Sequence, residues 1–68
     1  MPMDLEKAKA SNRIFASARW APGVYVVPTP SGNHEIIHKN RLDEIRIRKP
    51  YEPTTIDEKA KDFEEYYP

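Results

Sequence analysis

His34-Glu35-Ile36-Ile37-His38 has the H-E-x-x-H spacing of zinc metallopeptidases. On a helix this spacing sets two imidazoles one turn apart on a single ion and leaves the glutamate to activate the metal-bound water. The flanking residues argue for a different backbone. Paired β-branched isoleucines after Thr29-Pro30-Ser31-Gly32 favour a strand entered from a turn. On a strand His34 and His38 stand about 13 Å apart along one face, too far for one ion. A site would also need a third ligand, Glu58 or Glu64, and so short a chain has little scaffold for a walled cleft. No metal centre and no cofactor is therefore expected, and a miniature zinc hydrolase ranks third among three functional readings. Other catalytic patterns are missing: there is no cysteine, Gly23 and Gly32 stand apart instead of forming a phosphate loop, and no serine has the elbow context of a nucleophile. The sequence points to a protein that is not an enzyme.

Binding chemistry is better represented. Lys39, Arg41, Arg46, Arg48 and Lys49 form the densest basic segment, and with Trp20, Tyr25 and Tyr51 they have the mix of cations and aromatic rings that grips nucleic acid. The competing reading is a solvated strand face paired with Asp43 and Glu44. At the other end, Phe63 precedes Glu64-Glu65-Tyr66-Tyr67-Pro68, where carboxylates can pair with a partner's arginines and tyrosines can anchor an interface. Residues 1–50 carry nine Lys/Arg against five Asp/Glu, while residues 51–68 carry two against six. That asymmetry implies either that the tail folds back on the basic part or that each part meets a different surface. A net charge of zero counts against a nucleic-acid module, since acidic residues would compete for the same arginines.

The elements that would position these residues follow from local patterns. Asp4 precedes the helix formers Leu5-Glu6-Lys7-Ala8-Lys9-Ala10 and can cap them, but the apolar stripe is thin, so residues 1–12 are read as a flexible or helical N-terminus. Residues 13–50 are read as a small β-sheet domain. Ile14, Ala16, Ala18 and Trp20 alternate as a strand, the reading preferred over an alanine-rich extension of the N-terminal helix, and Ala21-Pro22-Gly23-Val24 suits a type II turn. Val24-Tyr25-Val26-Val27-Pro28-Thr29 and the run from His34 to His38 make a central hairpin, with Thr29-Pro30-Ser31-Gly32 fitting a type I turn with a glycine bulge. In the next strand Ile45 and Ile47 fall on one face, with Glu44, Arg46 and Arg48 on the other. Pro50-Tyr51-Glu52-Pro53 cannot continue a regular element and reads as a linker, so residues 51–68 are a proline-containing linker followed by an acidic amphipathic helix or tail. There Thr55 and Glu58 fit a capping box, and Ile56, Ala60, Phe63 and Tyr67 recur at helical spacing. The expected class is α+β: a small antiparallel sheet with a central hairpin, a short C-terminal helix and partly flexible termini.

A chain of 68 residues with 38% hydrophobic content has room for one small core. The start lacks the apolar run of a secretory signal, no stretch approaches a membrane span, and the absence of cysteine suits a reducing compartment, so a cytoplasmic protein without membrane contact is expected. At the level of architecture, the tiny cysteine-free core, the basic strand Ile45-Arg46-Ile47-Arg48-Lys49 and the acidic aromatic tail resemble those of the small host-takeover proteins of tailed phages. Such proteins bind a large host machine, often RNA polymerase, and inhibit or redirect it. The resemblance implies a regulatory protein that binds a larger protein in the transcription machinery, and it assigns no role to single residues. The second reading is a nucleic-acid-binding module built on the basic strand. In either case the candidate partner-binding residues are Arg41, Arg46, Arg48, Lys49, Trp20, Tyr25, Tyr51, Phe63, Glu64, Glu65, Tyr66 and Tyr67.

Overall fold

The structure is a computed structural model that describes residues 2–68, so Met1 of the N-terminal segment lies outside the described residues. Its elements are α1 (Leu5–Ala10), β1 (Phe15–Ser17), β2 (Val24–Pro28), β3 (His34–Lys39), β4 (Ile45–Pro50), α2 (Thr55–Lys59) and β5 (Phe63–Glu65). The strands form one sheet in the order β4-β3-β2-β1-β5, with every neighbouring pair antiparallel. This is a small α+β fold, as the alternation in the sequence predicts.

The central hairpin pairs Val24 with His38 through to Pro28 with His34. Its turn is the expected one: Gly32 N donates to Thr29 O at 3.0 Å, Thr29 N donates to Asn33 O at 2.9 Å, and Gly32 takes a φ of +88° that disfavours any side chain. Gly23 serves a second turn. Its φ is +91°, and a Cβ added there would lie 2.7 Å from the Lys39 carbonyl oxygen, so the close approach of that turn to β3 requires glycine.

Phe15, Val26 and Phe63 are fully buried and form the core with Leu5 and Ala8 of α1. Phe15 and Phe63 meet edge to face at 5.7 Å, and Trp20 meets Phe63 at the same distance. Such pairs contribute about 0.5–1.5 kcal/mol each beyond their buried area. Asp4 caps α1 by accepting from Lys7 N at 2.8 Å, and Met3 bridges to Phe63, which seats the helix over the sheet.

Three sequence expectations are corrected. The strand in 13–20 covers only Phe15–Ser17 and has the opposite phase, because Phe15 and Ser17 are buried whereas Ala16 is half-buried. A phenylalanine gains far more from burial than an alanine, so it decides which face turns inward. Second, the helical period through Phe63 and Tyr67 does not continue. The cap is Thr54 with Asp57, one residue before the expected pair, and the chain turns extended at Ala60. Phe63–Glu65 then pairs with β1, where the edge of β1 supplies unsatisfied backbone groups and the core receives Phe63, while Ile56 stays 66% exposed. Third, Ile45 and Ile47 do not share a face. Ile47 pairs with His38 and Ile45 with Lys39, so a bulge at Arg46 sets them opposite adjacent β3 residues, which point to opposite sides.

Candidate interaction surface

β4 closes one end of the sheet with β3 as its only strand neighbour among the described residues, and all six of its residues are exposed. Ile45 is 49% exposed, Ile47 44%, and Leu42 in the preceding turn 77%. Water is a poor solvent for such side chains, and the three follow one another along the same edge, Ile45 and Ile47 on opposite faces of it. Cations are interleaved with them. Arg48 Nε lies 3.1 Å from Glu35 Oε1. Lys39 Nζ lies 3.1 Å from Asp43 Oδ1, and this hydrogen bond holds its ammonium pKa above the ordinary value. Lys39 also lies over the Tyr25 ring. Arg41, Arg46 and Lys49 have no carboxylate partner among the described residues. Beside β4 a groove of about 610 Å³ runs between Lys49 and the aromatic pair Trp20 and Tyr51, floored by Val24 and Ile36. The two rings meet edge to face at 6.0 Å, so each is held by the other.

Of the acidic C-terminal part, β5 lies at the opposite edge of the sheet, whereas Glu52 and Asp57 line the groove beside β4, and carboxylates of this part are tied to other arginines. Arg13 bridges to Glu65 at 2.9 Å. Arg19 reaches Asp57 at 3.0 Å and Asp62 at 2.8 Å, while Ser17 Oγ donates to Asp62 and the Tyr51 hydroxyl donates to Asp57. Asp57 also accepts from Thr54 N, closing the cap of α2. Burial opposes ionisation of Asp62, yet the hydrogen bonds from Arg19 and Ser17 outweigh it and hold the carboxyl pKa below its usual value. The same carboxylates, Asp57 first, raise Arg19. Burial pushes the Tyr51 phenol up, and neighbouring Asp57 adds to the shift. Ser17, Arg19, Asp57 and Asp62 escaped the sequence reading, since they are distant along the chain; the one hint was the charge asymmetry, for which a folded-back tail was one of two readings.

The expected partner residues are therefore divided. Arg41, Arg46, Arg48 and Lys49 gather on the β4 side, with Trp20 and Tyr51 lining the adjacent groove. Tyr25 is buried and stacks on Tyr66 with ring centroids 4.9 Å apart. Phe63 is fully buried, so it belongs to the core and offers no surface to a partner. Glu65 is paired with Arg13, and Glu64 and Tyr67 are exposed at the β5 end, across the sheet from β4.

His34 and His38 both lie on β3, as the turn and the isoleucines predict. The His34 ring packs against Phe15 at 5.9 Å, and its Nε2 is buried without a hydrogen-bond partner among the described residues. Burial, and then the charge of Lys9, push its pKa below the ordinary imidazole value. Among the described residues there is no group of three or more His, Asp or Glu side chains placed to hold a metal ion. No helix among them is long and apolar enough to cross a membrane. Compared with protein families, curated proteins and solved structures, the chain finds no match in any of the three.

Proposed function

We propose that the chain is a non-enzymatic regulatory protein of the cytoplasm that docks on an acidic surface of a larger protein through β4 and the β3–β4 turn, inhibiting or redirecting that protein. The observation that carries this reading is the alternation of exposed aliphatic side chains, Leu42, Ile45 and Ile47, with the unpartnered cations Arg41, Arg46 and Lys49. Burying the aliphatics supplies affinity, and the cations supply steering and register. The nucleic-acid reading draws support from cations that the acidic tail does not neutralise. Against it, Tyr25 is buried, and aliphatics on the strand gain nothing from phosphates. RNA polymerase is the target that the phage resemblance puts first. The test is capture of purified RNA polymerase, nucleic-acid-free, by the protein and by its Ile47→Asp variant. Capture lost with that substitution is the expected result. Capture unaffected by it, or binding only to added nucleic acid, removes the reading.

A further inference from the structure

The next step rests on that docking reading and concerns the kind of partner segment the edge accepts. In an antiparallel pair, alternate residues bond to the neighbour and the rest point outward. Tyr51 N donates to His34 O at 3.0 Å, and Lys39 N donates to Gly23 O at 2.8 Å. With the observed register, these bonds turn positions 47 and 49 inward to β3 and positions 48 and 50 outward. Position 50 is proline and has no N–H to offer. Arg46 is the extra residue of the bulge, and Arg48, the one regular outward donor between Ile47 and Pro50, has its guanidinium held by Glu35. A proline, a bulge and a row of charges are the devices by which edge strands refuse a further strand. The edge is closed to backbone pairing but rich in side chains.

We propose that β4 is covered by an acidic amphipathic helix of the partner lying along the edge. A helix satisfies its own backbone groups and asks for none from a blunted edge. The six residues of β4 span about 20 Å, which a helix matches in about 13 residues. Seated on the edge, its apolar stripe, recurring at i, i+3, i+4 and i+7, meets Ile45 from one face of the sheet and Ile47 from the other, with Leu42 of the turn beyond them. Carboxylates flanking the stripe pair with Arg41, Arg46 and Lys49, which have no carboxylate partner among the described residues.

Three labelled probes test this by fluorescence anisotropy at low salt. The first is a peptide of about 18 residues, long enough to be helical, with leucines at helical spacing among glutamates; the second has the same composition in strict alternation; the third is a single-stranded oligonucleotide. The helical peptide is expected to bind at least about tenfold more tightly than the other two, and Arg46→Glu with Lys49→Glu to weaken it by about tenfold or more. Circular dichroism verifies that the variant is folded. Equal or tighter binding of the alternating peptide, with the Arg48 amide protected from exchange, overturns the helix proposal and leaves the docking reading standing. Binding of the oligonucleotide alone overturns both. If no probe binds, the helix proposal is overturned.

Discussion

The two ends of the sheet carry the same kinds of residue and treat them in opposite ways. At the β5 end arginines meet carboxylates, an aromatic fills the core, and Ser17 and Asp57 are buried with their polar atoms engaged. At the β4 end arginine and lysine point into water beside bare isoleucines. At the β5 end the arginines bind the chain to itself, while at the β4 end Arg48 and Lys39 are paired but Arg41, Arg46 and Lys49 have no carboxylate partner among the described residues. The lesson is that a charged segment cannot be read as surface or scaffold from its composition; what matters is whether the fold brings it a counter-charge.

That contrast is broken most forcefully at Phe63. If the C-terminal segment is scaffold, Phe63→Ala should cost about 3–5 kcal/mol, enough to unfold most of so small a domain, as read by urea denaturation. A folded variant with weakened partner binding would instead make Phe63 an interface anchor. Next in size is Asp57→Ala, which removes the carboxylate half of the α2 capping box, leaves the Tyr51 hydroxyl without its acceptor and reduces Arg19 to its pair with Asp62. A loss of about 2 kcal/mol is expected in the same assay.

A smaller effect separates the regions by pH. The folded protein holds His34 below its ordinary value of 6.5, so the unfolded chain takes up that proton first as pH falls. Its contribution is fully present above 6.5 and is lost as pH drops below it. The Arg19-bound Asp62, held below 3.8, adds stability that is lost only as pH falls on through that carboxylate range. Melting temperature against pH should therefore show two acid steps, and His34→Gln should remove the upper one alone. A variant that keeps both steps would show that His34 titrates freely.

Much of the fold was legible because its cues are local. Pro30 and Gly32 announce the hairpin turn, Pro22 and Gly23 the turn before it, and Asp4 the start of α1. Phe63 was misplaced because its spacing from Ile56 suits a helix, whereas the strand it joins is specified by β1, which lies 46 residues earlier in register at Ser17. Nothing near position 63 encodes that pairing. The basic strand of the candidate surface was visible as a charge run, and its aliphatics were visible too. Which of its cations stay unpaired was not, since Glu35 and Asp43 take Arg48 and Lys39 only once β3 and β4 are side by side.

The division between a scaffold end and a docking end is tested most directly by exchanging charge at each end and measuring partner capture. Arg46→Glu with Lys49→Glu alters exposed positions and should leave stability within about 0.5 kcal/mol per site, while Glu64→Lys with Glu65→Lys also breaks the half-buried Glu65–Arg13 pair and is verified as folded by circular dichroism. With purified RNA polymerase as the first target, loss of capture in the β4 pair and unchanged capture in the tail pair is the predicted result. Capture lost with Glu64 and Glu65 reversed and retained with Arg46 and Lys49 reversed would contradict it.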